Sequence, residues 1–137
     1  MPDLVLAAMP TAASVPLPIG IGGFMNPEVI VEYFGLEPGM KVADFGSGSG
    51  YFTILMAKKV GESGVVTALD IMESALETVR AKASAVGLKN LQTIRTDLEV
   101  VGGSALPDNS QNMALLANIL FQSPKKDQII KEAKRVL

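Results

Sequence analysis

"VADFGSGSGYF", residues 42–52, joins a short apolar run to a loop in which glycine and serine alternate. Gly46, Gly48 and Gly50 let the backbone turn sharply and leave no Cβ in the way of a bound molecule. A helix is predicted to follow, and the first N–H groups of a helix have no partner within it. The stretch therefore predicts a strand, a ligand-binding loop and a helix, although a plain tight turn would use the same glycines.

The rest of the chain alternates strands and helices around this loop. Apolar runs predict strands at 41–45, 64–70, 91–96 and 112–119. Helices are predicted at 26–35, capped by Asn26, at 51–60, at 72–86, and after Ser123 and Pro124. The third helix is expected to bury Met72, Ala75, Leu76, Val79, Ala83 and Val86 on one face. Such alternation predicts an α/β domain with a parallel sheet and right-handed crossovers.

Asp70 follows Gly50 by twenty residues, at the end of the second predicted strand. An acid at this place can accept both hydroxyl hydrogens of an adenosine ribose. Taken alone, Asp70 could equally cap the helix that begins near Met72. The spacing to the glycine loop favours a nucleotide-type cofactor in a Rossmann-like crevice.

Two residues indicate which nucleotide this is. Tyr51 stands where the third glycine of the dinucleotide pattern Gly-x-Gly-x-x-Gly belongs. Asp44 precedes the loop, where a carboxylate would oppose a pyrophosphate but suit an ammonium group. S-adenosylmethionine has an ammonium, a ribose and an adenine but no phosphate, so it fits better than NAD. In an alternative interpretation, Asp44 binds N–H groups of the loop as a structural anchor.

The motifs resemble those of class I S-adenosylmethionine-dependent methyltransferases, most closely the branch with the ubiquinone and menaquinone C-methyltransferases. "VADFGSGSGYF" resembles their first motif and "ALDIM" their ribose motif, while "RTDLE", "PDNSQNMALLANILFQ" and "SPKKDQIIKEAKRVL" resemble later ones. The resemblance implies cofactor-binding roles for Asp44, Gly46, Ser47, Gly48, Gly50, Asp70, Ile71, Asp97, Leu98 and Asn118. Asp97 and Leu98 would contact adenine, although Asp97 could be only a turn residue and Asn118 could simply end its strand.

Two departures from the family pattern concern the last predicted strand and the end of the chain. Asn112 stands where that branch often has an acid, which is expected to alter only a loop contact. The sequence stops at Leu137, without the usual strands five to seven. The expected Rossmann-like sheet then has the order 3-2-1-4, with the fourth strand, 112–119, at an uncovered edge. Either a second chain pairs there in a homodimer, or residues 4–9, "LVLAAM", cover it.

Composition limits the chemistry. The chain has no Cys and no His and a net charge of −2, so thiolate sites and a nucleic-acid partner are not expected, and no metal site is predicted. Residues 1–25 form an apolar, proline-rich arm before the S-adenosylmethionine-binding half-domain at 26–137. The arm resembles neither a signal peptide nor a membrane span, so we expect a cytoplasmic protein without a membrane partner. Five side chains of the last helix are expected to be solvated: Lys125, Lys126, Lys131, Lys134 and Arg135.

Three functions follow from this combination. The first is a small-molecule methyltransferase, complete only as an oligomer or with a partner chain. The second is a module that binds S-adenosylmethionine without a methyl-acceptor site of its own, and the third is an inactive truncated half-domain. An NAD site is a weaker fourth. Methyl transfer from a sulfonium mainly needs alignment and exclusion of water, so lack of His and Cys is no obstacle. Arsenite-type methyltransferases rely on cysteines, which argues against that activity.

Overall fold

The computed structural model describes residues 3–5, 26–117, 119 and 123–137. The strands are β1 (Asp3–Val5), β2 (Lys41–Phe45), β3 (Val65–Asp70), β4 (Leu91–Arg95) and β5 (Met113–Leu115). The helices are α1 (Pro27–Glu32), α2 (Tyr51–Val60), α3 (Glu73–Ala85) and α4 (Lys126–Val136). In the described part of the chain, no helix has the length and apolar character needed to cross a membrane.

One parallel sheet carries the order β1-β5-β2-β3-β4. If β1 is set aside and β2 to β5 are renumbered 1 to 4, the order read from β4 to β5 is 3-2-1-4. This confirms the predicted α/β topology. β1 adds a fifth strand beside β5, with Leu4 opposite Ala114 and Val5 opposite Leu115. The expectation that residues 4–9 cover this edge is therefore confirmed for Leu4 and Val5. Residues 6–25, the remainder of the predicted arm, lie outside the described residues.

Both faces of the sheet are apolar, because helices cover both. On β2, Ala43 and Phe45 pack in one cluster with Ile129 of α4. Val42, on the opposite face, packs with Met56 of α2. Strand alternation then places Asp44 on the α2 face, directly above this second cluster.

The helix boundaries follow local signals, with some corrections. Asn26 accepts a hydrogen bond of 3.0 Å from the N–H of Glu28 and caps α1 as predicted. On α3, the expected buried face is right for Leu76, Val79 and Ala83. It is wrong for Met72 and Val86, which are exposed because they lie just outside the two ends of the helix.

Asn112 ties the start of β5 to the start of β2. Its N–H donates to the carbonyl of Lys41 at 2.7 Å, and its side-chain oxygen accepts from the N–H of Lys41 at 2.8 Å. The carboxylate of an acidic residue at this position could accept the same hydrogen bond from the N–H of Lys41. Asn112 therefore preserves the contact that the acid usual in the family would make. β5 itself has three residues instead of the predicted eight, and Asn118 lies outside the described residues.

The last helix begins later than predicted. Ser123 accepts a hydrogen bond of 3.0 Å from the N–H of Lys125, and α4 starts at Lys126. The four lysines of the predicted solvated face are exposed. Arg135 is not solvated as expected: its guanidinium contacts the carboxylate of buried Glu132 and, at 2.7 Å, the carbonyl of Leu106.

Candidate functional site

The glycine loop, residues 46–50, connects β2 to α2 and rests on the end of β3. The N–H groups of Gly46 and Ser47 donate to the carbonyl of Leu69 at 2.7 and 3.1 Å. Gly46, Gly48 and Gly50 have φ angles of 74°, 55° and 87°, in the left-handed region that residues with a Cβ rarely adopt. The loop therefore takes its shape from backbone contacts and from all three glycines.

The three glycines have different surroundings. A Cβ at Gly50 would lie 2.7 Å from Cγ2 of Val79, and one at Gly46 would lie 2.9 Å from Cβ of Ile119. A Cβ at Gly48 would meet no described atom within 4 Å. Gly46 and Gly50 thus allow close packing against other elements, whereas Gly48 leaves a bare backbone facing open space.

Asp70 fastens the loop to the end of β3. One carboxylate oxygen accepts from the N–H of Gly48 at 3.0 Å, and the other accepts from the N–H of Met72 at 2.9 Å. The cap-type contact that the sequence suggested as an alternative is therefore present, together with the contact to the loop. A carboxylate offers about four acceptor positions, so two remain available for a ligand.

Asp44 is 2% exposed, and its carboxylate accepts a hydrogen bond of 2.6 Å from the hydroxyl of Thr53 on α2. The alternative in which loop N–H groups bind Asp44 is wrong for the described contacts, because those N–H groups donate to Leu69, Ser47 and Asp70. Burial, helped by the negative charge of Asp70, outweighs the lowering effect of the Thr53 hydrogen bond and raises the pKa of Asp44 to about 7.

A cavity of about 680 Å³ opens where the loop, the end of β3 and the segment after β4 meet. Eight of the ten predicted site residues line it: Asp44, Gly46, Ser47, Gly48, Asp70, Ile71, Asp97 and Leu98. Gly50 is not among the lining residues, since it is buried against α3, and Asn118 lies outside the described residues. The hydroxyl oxygen of Ser47 is buried and has no hydrogen-bond partner among the described atoms.

The segment after β4 forms one wall of the cavity. Asp97 is exposed and accepts a hydrogen bond of 2.9 Å from the N–H of Glu99, so it is a turn residue as well as a wall residue. Leu98 is nearly buried and belongs to the core around α4. Thr96 and Glu99 also line the cavity; both belong to the motif "RTDLE", although no site role was predicted for them.

From their positions in the sequence, the aromatic residues at the start of α2, Tyr51 and Phe52, are expected to pack on the helix rather than to stack on a cofactor. Phe52 does so, with its ring centroid 5.9 Å from that of Phe34. For Tyr51 the prediction is wrong: its side chain is 67% exposed, and the Lys82 ammonium lies 4.6 Å from the ring centroid. Both residues contribute to the cavity lining, together with five residues for which no site role was predicted: Pro27, Ala117, Ile119, Ser123 and Ile129.

The sequence profile of a family described as "Methyltransferase domain" matches residues 36–137, which include every element of this cavity except Pro27. The chain belongs to the class I S-adenosylmethionine-dependent methyltransferases. For this family, S-adenosylmethionine is the implied co-substrate. The methyltransferase domain here shares the Rossmann-like architecture of its relatives.

Two curated relatives and one solved structure illustrate the similarity. A ubiquinone/menaquinone biosynthesis C-methyltransferase of Shewanella pealeana is 34% identical over 78% of this chain and 42% of its own length. An arsenite methyltransferase of Aquipseudomonas alcaligenes is 31% identical over 82% of this chain and 36% of its own. The crystal structure of an S-adenosylmethionine-dependent methyltransferase from Aquifex aeolicus superposes with a TM-score of 0.72, at 32% identity, over 81% of this chain and 57% of that one. The chain thus spans less than half the length of these curated relatives.

Proposed function

We propose that the cavity binds S-adenosylmethionine and that the domain transfers its methyl group to a small molecule. One observation carries the proposal: the only loop glycine whose Cβ would meet no described atom, Gly48, is hydrogen-bonded to Asp70 beside the same cavity that the buried Asp44 lines. A bare backbone between two carboxylates suits a ligand with a cationic end and a diol, and it disfavours a pyrophosphate.

The residues present fit the three parts of this ligand. Asp44 would face the ammonium group, since burial makes a charged partner favourable for its carboxylate. Asp70 would accept from the ribose hydroxyls with its two remaining acceptor positions. Asp97 and Leu98, with Ile71, would form the adenine side. Asn118 keeps its proposed role near the cofactor on the resemblance alone.

Ser47 supports the same assignment. Its buried hydroxyl lacks a described partner, and an unpaired buried hydroxyl costs free energy that a ligand acceptor would recover. The hydroxyl lies in the loop that lines the cavity. We therefore assign it a hydrogen bond to the carboxylate end of the bound cofactor.

The bound co-substrate would supply a methyl group already activated by a sulfonium charge. The protein would then mainly align donor and acceptor and keep water away. Leu98, Ala117, Ile119 and Ile129 give the cavity an apolar wall suited to that task. The absence of His and Cys from these 137 residues is compatible with such chemistry.

The acceptor is proposed as a small organic molecule. One curated relative is named for the biosynthesis of ubiquinone and menaquinone and the other for arsenite, and none of these is a macromolecule. Arsenite is disfavoured for this chain, because arsenite-type methyltransferases rely on cysteines and these 137 residues contain none. A second candidate function is cofactor binding without methyl transfer, since the described cavity residues account for the donor and none is assigned to an acceptor.

Two experiments separate these functions. Calorimetric titration with S-adenosylhomocysteine, with NAD as the control ligand, tests the cofactor site; micromolar binding of the first and none of the second is expected. Transfer of a radiolabelled methyl group to a panel of small organic acceptors then tests activity. Binding without transfer would favour the second candidate. If neither S-adenosylhomocysteine nor NAD bound, the proposed function would be contradicted.

Oligomeric completion of the domain is also a proposal. Because β1 occupies the free side of β5, pairing of two β5 strands would require its displacement. A homodimer is better supported through the apolar composition of residues 1–25, which contain a single charged residue. Light scattering at micromolar concentration should give twice the mass of one chain, and a monomer would contradict this proposal.

A further inference from the structure

Glu132 is a carboxylate in the core, with 0% of its surface exposed. It accepts hydrogen bonds from the N–H of Gly102 at 2.6 Å, from the N–H of Ser104 at 3.0 Å and from the Ser104 hydroxyl. Two guanidinium nitrogens of Arg135 donate to it at 2.7 Å. Removing one partner from a buried charged group is strongly unfavourable, so this arrangement holds its members in fixed positions.

Arg135 also binds the segment that precedes β5. Its guanidinium donates to the carbonyl of Leu106 at 2.7 Å and also pairs with the exposed carboxylate of Asp108. Burial opposes the charge of Glu132, but Arg135, Ser104 and Gly102 outweigh it and lower the pKa of Glu132 to about 2. The pair therefore stays ionised at neutral pH and attaches residues 102–108 to α4.

The attached segment touches the wall of the cofactor cavity through Gly103. The Thr96 hydroxyl donates to the carbonyl of Gly103. A Cβ at Gly103 would overlap the carbonyl oxygen of Asp97 and lie 2.7 Å from that of Val100. Gly103 thus packs directly on the backbone of the turn that presents Asp97.

Glu132 itself is not among the described residues that line the cavity, whereas Thr96, Asp97, Leu98 and Glu99 are. We propose that Glu132 is a positioning residue: through Gly102, Gly103 and Ser104 it sets where the Asp97 turn stands, and so sets recognition of the adenine base. The ligand part of this inference rests on the proposed function.

Two variants test the inference by different routes. Glu132→Gln puts amide hydrogens at a group on which five donors converge, while Gly103→Ala displaces the Asp97 carbonyl without touching the buried charge. Glu77→Gln is the matched control, because it makes the same chemical change at an exposed position of α3. If Glu132→Gln fails to fold, Gly103→Ala still tests the inference.

The readout is discrimination between S-adenosylhomocysteine and S-inosylhomocysteine, whose base has an oxo group instead of the adenine amine. A carboxylate at Asp97 can accept from the amine but repels the oxo group. The ratio is the Kd of S-inosylhomocysteine divided by that of S-adenosylhomocysteine. We expect this ratio to fall by about tenfold in both variants, since one charge-assisted hydrogen bond to the adenine amine is misaligned. The ratio should be unchanged in Glu77→Gln. A merely structural loss of stability would weaken both ligands equally and leave the ratio intact.

Hydrogen exchange of the amides at 96–104 completes the experiment without a ligand. Faster exchange there in Glu132→Gln, with no change in Glu77→Gln, supports the positioning role. Folded variants with wild-type exchange and a wild-type Kd ratio would overturn it. If the unsubstituted chain bound neither nucleoside, the proposed function would fail, and exchange at 96–104 would by itself support or overturn the positioning role.

Discussion

The N–H of Gly48 and the carboxylate of Asp70 are joined by a hydrogen bond of 3.0 Å. It links the middle of the glycine loop to the end of the neighbouring strand, although the two residues stand 22 positions apart. The loop and the ribose acid of the sequence motif are therefore one structural unit before any ligand binds.

Replacing Asp70 with Asn should impair this unit in two ways. The amide keeps one acceptor oxygen, so either Gly48 or Met72 loses its partner, and the ribose hydroxyls lose a charged acceptor. We expect affinity for S-adenosylhomocysteine to fall by about 100-fold or more, as for two charge-assisted hydrogen bonds. Calorimetric titration measures this. Asp127→Asn, at an exposed position of α4, is the matched control, and equal losses in the two variants would contradict the assignment.

Alanine at Gly50 and at Gly48 should separate folding from binding. At Gly50 the new Cβ meets Val79 at 2.7 Å and the backbone has φ of 87°, so we expect a loss of about 2–4 kcal/mol in unfolding free energy. At Gly48 only the φ of 55° is unfavourable, for about 1 kcal/mol, but the Cβ enters the cavity.

Urea unfolding and ligand titration of both variants check this pair. The double variant Gly50→Ala, Val79→Ala should recover part of the lost stability, since it removes the clash. No recovery, or a Gly48→Ala protein that binds S-adenosylhomocysteine as the unsubstituted chain does, would show that the two glycines do not have these separate roles.

Asp44 should make stability fall as pH rises. Its pKa is 3.8 in the unfolded chain and about 7 in the folded one, so the folded state binds the extra proton between these values. Its contribution is complete below pH 4 and is lost by pH 7, at most about 4 kcal/mol for a shift of this size. In Asp44→Asn this dependence should disappear, as measured by urea unfolding at pH 4 to 8. An unchanged pH profile would contradict the raised pKa.

A ligand with an ammonium group should lower the raised pKa of Asp44. A cation beside the carboxylate favours its ionised form, so binding near pH 6.5 should release a proton. Titration of S-adenosylhomocysteine in two buffers of different ionisation enthalpy detects the release. Equal apparent enthalpies in both buffers would place the ammonium group elsewhere.

Glu132 should make stability fall as pH decreases, and it should do so at lower pH than the change caused by Asp44. Its pKa is 4.5 unfolded and about 2 folded, so its contribution is present above pH 4.5 and is lost as pH falls towards 2. The loss amounts to about 3 kcal/mol for this shift. Acid unfolding followed by circular dichroism should therefore show a steeper decline below pH 4.5 than Glu132→Gln does. Parallel declines in the two proteins would remove Glu132 as the cause.

Removal of residues 1–5 should expose the edge of β5. Because β5 is buried and apolar, its open edge would favour association with other chains. We expect a lower melting midpoint, by roughly 3–6 °C for each kcal/mol that the strand contributes, and more light scattering than the intact chain. Unchanged melting and unchanged scattering would show that β1 does not protect this edge.

The parts predicted from sequence are those where a few neighbouring residues decide the structure. The glycine loop needs positive φ at three positions, and only glycine meets that need readily, so the pattern from Gly46 to Gly50 was sufficient. The parallel sheet followed from apolar runs and crossover rules, whereas the strand order 3-2-1-4 followed from the resemblance to methyltransferases. The distance from Gly50 to Asp70 matches one strand-and-helix unit.

The parts that were missed depend on contacts between distant residues. Glu132 and Ser104 are 28 positions apart, and nothing in either neighbourhood indicates a buried carboxylate. Arg135 was expected in solvent because polar and apolar residues fall on opposite faces of α4. Its guanidinium nevertheless binds the carbonyl of Leu106, in the segment before β5. Tyr51 was expected to pack, but it is 67% exposed and its ring contacts Lys82, which lies 31 positions away on α3.

The pairing of β1 with β5 has a consequence for how the chain assembles. Asp3 lies opposite Met113, so β1 cannot pair until β5, about 110 residues later in the chain, has been synthesised. Contacts between such distant residues form slowly, because the intervening chain must be ordered first. Until β1 is in place, a newly made chain leaves this side of β5 open to pairing with other nascent chains.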